Sequence, residues 1–362
     1  MPKPKQKILF YISNLKSGGA ERVLTHIANY WSEKGRDVSI VTVTLGESDF
    51  ELDAKIRIIG QESYRVSTNF FEGLYANIRR IRHLRRTIKE IKPDIIISFT
   101  TMCNIVAYFS KVGLSVPLVI SERTNPSAYP LNFVWHQLRT FTYNRASALV
   151  LQTKGVQKLY QNYSPPQYVV RNPLILPKFV LPIQSYSPKI IITIGRLDRE
   201  KNVQMLVHAF AKTNQKDWSL WIIGRDAGQQ YLIEEAIKTL GLSDRVQLLG
   251  NQTDVFSYLS KASIFAMTTK VEGYPNALLE AMAIGLPVVS TDCDFGPSEI
   301  IDDGKNGFIV PLDDTEAFAE KLKILMQNEG LRQKMGQNAL KIGEKHSITK
   351  IMTDWDNLID AL

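Results

Sequence analysis

The sequence predicts an α/β protein made of two doubly wound, parallel-sheet domains of the Rossmann kind. Short Ile- and Val-rich runs alternate with amphipathic helical patterns along most of the chain, as expected of a parallel sheet whose crossovers are helices. At 362 residues the chain is about twice an ordinary domain, long enough for two separate cores. Between the halves, residues 164–188 carry Pro165, Pro166, Pro173, Pro177, Pro182 and Pro188, a density that resists regular structure and suits a linker.

In the first half the strand-like runs fall at 7–13, 38–44, 94–99 and 117–121. The first leads into NLKSGGAER at 14–22 and then a helix with Val23, Leu24, Ile27 and Trp31 on one side. The pair Gly18 and Gly19, between strand and helix, lets backbone amides approach a phosphate or sugar closely, or serves helix packing alone. Residues 74–91, LYANIRRIRHLRRTIKEI, form the most unusual helix. Leu74, Ile78, Ile81, Leu84, Ile88 and Ile91 make one apolar stripe, flanked by Arg79, Arg80, Arg82, Arg85, Arg86 and Lys89, with Lys92 just beyond. Glu90 is the only acid in 77–92, so these cations repel one another unless an anion is near. The partners that fit are anionic lipid headgroups, a lipid-linked pyrophosphate or nucleic acid. The run VISERTNP at 119–126 is a strand followed by a polar loop, where open α/β sheets put ligands. Arg123 in that loop either engages an anion or forms a surface pair with Glu122.

The second half opens with KIIITIGRLDREKN at 189–202: a buried strand ending at Gly195, then a loop bracketed by Arg196 and Lys201, with Asn202 as the expected N-cap of a helix over 203–212. Two cations at a strand's carboxyl end can neutralise a diphosphate leaving group without a metal ion. Runs at 220–224 and 246–250 read as the next strands, each stopped by glycine. Residues 263–267, SIFAM, read as a buried strand, and KVEGYPNALLEAMAIGLPVV at 270–289 supplies its loop, a helix entered at Pro275 and closed at Gly285, and the next strand. This spacing puts Glu272 in the loop and Glu280 about one turn inside the helix, so both carboxylates can face the crevice near free N–H donors. Carboxylates and anion-binding amides together suit a ligand that is part polyol and part phosphate, such as a nucleotide sugar. Residues 315–362 read as helical.

The frame E-G-x-P-x-x-x-x-E-A-M-A-x-G-x-P-V-V, together with G-R-x-D-x-x-K-N at 195–202, resembles the retaining glycosyltransferases of family 4. That resemblance implies a GT-B fold: two Rossmann-like domains facing each other across a cleft. The implied division is an acceptor-binding domain over 1–172, a linker over 173–188, a nucleotide-sugar-binding domain over 189–345, and a final helix over 346–362 crossing back to the first domain. It implies that Glu280 holds the ribose hydroxyls, that Glu272 lies by the donor sugar, and that the backbone of Tyr274, Pro275, Asn276, Ala277 and Leu278 contacts sugar and phosphates. Arg196 and Lys201 would hold the donor pyrophosphate. Gly18 and Gly19 would lie against the diphosphate and the acceptor, and the base would sit near Asn251. Many members have histidine where this chain has Arg123, beside the donor sugar. Among members that extend lipid-linked oligosaccharides, a similar basic helix tracks the acceptor's pyrophosphate. The turns at 296–299 and 303–308 repeat family turns, read here as structural. Front-face substitution is the family's implied route.

Composition narrows the classes further. Residues 1–180 hold 25 Lys and Arg against 12 Asp and Glu, and the remainder 19 against 24, so the first half is expected to seek an anionic partner. No apolar run approaches the ~20 residues of a membrane span, and the start MPKPKQK before ILFYI reads as a first strand rather than a signal peptide. Cys103 and Cys293, the only cysteines, suggest a reduced cytoplasmic setting, and the five histidines show no zinc spacing, so neither cofactor nor metal is expected. The expectation is a retaining, metal-independent glycosyltransferase. It takes a nucleotide sugar, UDP-sugar favoured, and a glycan acceptor linked to polyprenyl pyrophosphate, at the inner face of an anionic membrane. The alternatives are a nucleotide-sugar epimerase of the same shape, for which the basic helix has no purpose, and a nucleic-acid-binding protein. The second lacks RNP, KH or zinc-finger signatures and aromatics among its arginines, so no nucleic-acid partner is expected.

Overall fold

The computed structural model describes residues 6–16, 18–44, 47–61, 70–126, 130–177, 183 and 188–362, with Phe70 and Phe71 described by their backbone alone. The basic start of the chain (residues 1–5) and residues 178–182 and 184–187 of the expected linker lie outside the described residues. The chain divides into two compact units, residues 1–173 with 348–362 and residues 174–347.

The first unit contains β1 (Lys7–Ile12), α1 (Gly19–Glu33), β2 (Asp37–Thr42), β3 (Arg57–Gly60), α2 (Phe70–Ile91), β4 (Ile95–Phe99), α3 (Thr101–Lys111), β5 (Leu118–Ser121), α4 (Phe133–Tyr143), β6 (Ala148–Leu151), α5 (Lys154–Leu159) and β7 (Gln167–Val169). The second runs through β8 (Ile190–Ile194), α6 (Val203–Lys212), β9 (Ser219–Ile223), α7 (Gln230–Thr239), β10 (Val246–Leu248), α8 (Phe256–Leu259), β11 (Ile264–Met267), α9 (Asn276–Ala283), β12 (Val288–Thr291), α10 (Pro297–Ile300), β13 (Gly307–Val310), α11 (Thr315–Gln327), α12 (Glu329–Ala339) and α13 (Ile342–Lys345), and α14 (Ile348–Asp360) returns to the first.

Both sheets are parallel throughout, in the orders β3-β2-β1-β4-β5-β6-β7 and β10-β9-β8-β11-β12-β13. The direction of winding reverses between β1 and β4 and between β8 and β11, which opens a crevice at the carboxyl ends of those strands. This is the doubly wound architecture expected for each half. Strands such as β4 and β11 are buried at every position, as strands covered by helices on both faces must be. In the first unit Phe10, Trp31 and Phe99 meet Trp355 and Met352 of α14, with the Trp31 indole N–H donating to Asp356 at 2.8 Å. In the second, α6, α7 and α11 cover one face of the sheet, while α9 and α13 pack in a separate cluster on the other.

Asn202 stands at the N-cap of α6 as expected, but with φ 47 and no side-chain cap hydrogen bond, its amide donating to Asp313 at 3.2 Å. Pro275 stands at the N-cap of α9 rather than in its first turn. The far end of α9 closes as expected, with Gly285 at φ +93, its N–H on the Met282 carbonyl at 3.0 Å and that of Leu286 on Ala281 at 3.0 Å.

Candidate functional site

In the second unit two loops leave the sheet at its switch point, 195–202 after β8 and 268–275 after β11. They are stitched together through the backbone. Lys270 N–H donates to the Glu200 carbonyl at 2.7 Å, Thr268 Oγ1 to Asn202 at 3.0 Å, and Thr269 Oγ1 to Glu200 at 3.2 Å. The stitching brings Lys201 against Glu272, whose ammonium and carboxylate form an ion pair while both stay largely covered. The Lys201 stem lies over Gly195, where an added Cβ would sit 3.4 Å from Lys201 Cδ. Lys201 N–H donates to Asp198 at 2.9 Å, which fixes the turn.

Arg196 is exposed on the same loop, paired with Asp198 at 2.9 Å and Glu200 at 3.3 Å rather than with Glu272. Glu280, in the second turn of α9, is 3% exposed. Pro275, at the N-cap of α9, supplies no side-chain cap to the helix that Asn276, Ala277 and Leu278 begin. Asn251 is exposed beyond β10, an edge strand two places from β8.

The turn at 296–299, expected to be structural, and two residues to which the sequence did not point, Cys293 and His346, neighbour this loop. Gly296 has φ +119, and a Cβ there would fall 2.7 Å from Pro275 Cδ and 3.8 Å from Glu272 Cβ, so the turn at 295–297 backs the loop directly. Its Gly-Pro doublet was the available signal. Cys293 is near enough that burial and the Glu272 charge push its thiol up to about 12, with Lys201 pulling the other way. His346, far away in sequence, shares a hydrogen bond between its Nε2 and the Tyr274 hydroxyl.

In the first unit Arg123 follows β5 at the carboxyl edge, and the alternative of a surface pair with Glu122 is wrong, because both are buried. The Glu122 carboxylate accepts from Thr101 Oγ1 at 2.8 Å, the Tyr143 hydroxyl at 2.5 Å and the Arg123 backbone at 2.9 Å. The Arg123 guanidinium donates to Ser121 Oγ at 2.8 Å and Asn172 Oδ1 at 2.8 Å and lies over the Phe99 ring, with Nη2 left without a partner. Burial lowers its pKa to about 9, Glu122 offsetting part of this, so it remains a cation at neutral pH. Gly18 is the N-cap of α1 and Gly19 its first residue; the Glu21 carboxylate folds back over Gly18, where any Cβ would collide with it.

The basic stretch is helical over Phe70–Ile91, but its apolar stripe is divided. Leu84, Ile88 and Ile91 are buried, whereas Leu74 and Ile78, with Tyr75, are exposed. Arg79, Arg82, Arg86 and Lys89 are exposed. Arg80 donates to Asn77 at 2.9 Å, and Arg85 turns inward to the carbonyls of Ser110 at 3.0 Å and Val112 at 2.6 Å, closing the end of α3.

Two family models match the chain, one described as Glycosyltransferase Family 4 over residues 17–174 and one as Glycosyl transferases group 1 over residues 183–342. Among curated proteins, the chain is 30% identical over 98% of both lengths to the GalNAc-alpha-(1->4)-GalNAc-alpha-(1->3)-diNAcBac-PP-undecaprenol alpha-1,4-N-acetyl-D-galactosaminyltransferase of Campylobacter jejuni. It is 28% identical, over 96% of this chain and 98% of the other, to that organism's N-acetylgalactosamine-N,N'-diacetylbacillosaminyl-diphospho-undecaprenol 4-alpha-N-acetylgalactosaminyltransferase. Among solved structures, sucrose-phosphate synthase from Thermosynechococcus elongatus superposes with a TM-score of 0.86 over 99% of both chains at 16% identity. HepE of Anabaena in complex with UDP gives 0.79 at 19% identity, over 99% of this chain and 100% of that one.

Proposed function

The chain belongs to the glycosyltransferases, with a family 4 region followed by a group 1 region, and from that premise we propose that it is a retaining enzyme moving a sugar from a nucleotide sugar to a lipid-linked glycan. The observation that carries the donor half is the Lys201–Glu272 pair at the switch point of the second sheet. The diphosphate takes Lys201, Arg196 and the start of α9, which stabilise the negative charge that grows on it as the glycosidic bond breaks, without a metal ion. Glu272, released from Lys201, orients the sugar, and Glu280 holds the ribose. In the first unit, Arg123 keeps an unpartnered Nη2 with which to engage an oxygen of sugar or phosphate. UDP is the favoured nucleotide, and the named Campylobacter relatives suggest an acceptor on undecaprenyl diphosphate.

The acceptor half rests on the first unit. The opening turns of α2, α3 and α4 lie at the carboxyl edge of its sheet and expose Leu74, Tyr75, Ile78, Met102, Phe133 and Val134, Phe133 by 77%. Exposed Arg79, Arg82 and Arg86 lie on the same helix as Leu74, Tyr75 and Ile78, a combination that suits an anionic bilayer holding the acceptor. No helix among the described residues is long and apolar enough to cross a membrane, so the association is peripheral in this reading.

The test is a thermal-shift screen against UDP, GDP and ADP, followed by transfer from the matching nucleotide sugar to a polyprenyl-pyrophosphate glycan, with the anomer assigned by NMR. Glu280→Ala is expected to weaken nucleotide binding and Lys201→Ala to lower turnover by about 10²–10³. Normal transfer by both variants, or an inverted product, would contradict the assignment.

A further inference from the structure

The chain passes between its two units at 173/174 and again at 347/348, and on the second unit's side the two passing segments are joined. Leu174 N–H donates to the His346 carbonyl at 2.8 Å, and Leu174 bridges Ser347 in parallel. His346 is also buried, and its ring is held from both sides. Its Nδ1 lies 3.0 Å from the Ile342 carbonyl, which can only accept, so Nδ1 carries the proton; in the neutral ring Nε2 then accepts the Tyr274 hydroxyl. Tyr274 packs with Leu174, Leu278 and Ile342 in one apolar cluster, its ring tilted 35° to the imidazole at 5.8 Å between centroids.

We infer that His346 is a positioning residue for the donor loop, acting through the Tyr274 hydroxyl. The loop needs such an anchor. Upstream it is tied at Lys270 to Glu200, and Thr291 Oγ1 holds the Thr269 carbonyl at 2.5 Å. Glu272 is then followed by Gly273, which leaves the backbone free to rotate just where the carboxylate and the start of α9 must be aimed. Tyr274 closes that gap by a directional bond to a ring whose tautomer and orientation are set elsewhere, the arrangement by which an outer residue fixes a ligand-bearing one. Because the His346 carbonyl also holds Leu174, the same residue ties the donor loop to both passing segments. The inference rests on the nucleotide-sugar reading of this site.

The experiment compares Tyr274→Phe, His346→Leu, the double variant and His346→Gln. Titration calorimetry uses whichever of UDP, GDP and ADP binds the wild type, with donor and acceptor KM and melting temperature measured alongside. Each single variant is expected to weaken nucleoside-diphosphate binding and raise donor KM by about tenfold with acceptor KM unchanged. The double variant should be no weaker than His346→Leu alone, because the bond that Tyr274→Phe removes is already lost with the imidazole. His346→Gln should restore affinity to within about threefold, since its carbonyl can accept the Tyr274 hydroxyl. If the variants melt earlier yet bind nucleotide and use donor like wild type, the bond is structural only and the inference fails. A wild type that binds none of the three nucleotides removes the underlying reading instead, and this inference with it. Should His346→Leu not fold, Tyr274→Phe, which removes a single oxygen, decides the matter alone.

Discussion

Arg85 separates from the other cations of α2 because its guanidinium is already committed to the carbonyls of Ser110 and Val112. A charge run read from sequence treats its members alike, since which of them reaches a neighbouring helix depends on packing that spacing does not encode. The consequence is measurable. Arg85→Gln is expected to cost about 1.5–3 kcal/mol in chemical denaturation, as loss of a charged donor to carbonyls does, with little effect on liposome pelleting. The combined Arg79→Gln, Arg82→Gln and Arg86→Gln variant should stay within about 0.5 kcal/mol per site of wild-type stability and lose binding to anionic vesicles. Equal behaviour of the two variants would undo the distinction. Glu122 makes the same point in reverse: one acid in a polar loop gave no sign in sequence of being buried under Thr101 and Tyr143. His26 adds a pH signature, because burial and, secondarily, Arg22 lower it to about 4 from 6.5. The folded protein therefore keeps the ring neutral, and the stability this gives is whole above pH 6.5 and lost as pH falls through about 4. His26→Gln should flatten the curve of melting temperature against pH across that window.

Among elements, the strands and most helices were legible because alternating apolar runs and amphipathic stripes record burial directly. Where reading failed, a tertiary contact had replaced a local one. Asn202 adopts the left-handed region at the N-cap of α6, its side chain reaching Asp313 rather than a backbone N–H of that helix. The upper part of the α2 stripe, at Leu74 and Ile78, is exposed, whereas Leu84, Ile88 and Ile91 are buried. The glycines ending β8 and β9 were read as strand stops, and the structure supplies the reason. A Cβ on Gly224 would lie 1.8 Å from the Gly195 carbonyl oxygen, so the two strand ends touch through their backbones, directly beneath the Lys201 stem. Gly224→Ala is expected to destabilise the protein by about 1–3 kcal/mol and to weaken nucleotide binding, while Gly195→Ala, whose Cβ meets only the flexible lysine chain, should be milder in both. Denaturation and calorimetry on the pair check this ranking.

For the whole molecule, two-domain organisation could be read from length and proline density, whereas the partition of the tail could not be read from composition alone. The segment after residue 347 belongs with the first unit, where Ile351, Met352, Trp355, Leu358 and Ile359 are buried beside Trp31 and Asp356 pairs with Arg36 at 2.8 Å. A chain stopped at residue 347 is therefore expected to lose the first unit's thermal transition and keep a nucleotide-induced shift in the second; retention of both transitions would show α14 to be dispensable. The same discontinuity imposes an order on biosynthesis. A ribosome finishes everything the second unit needs before it makes α14, so the first unit, though begun earlier, must wait with the groove for Trp355 open until its closing segment emerges.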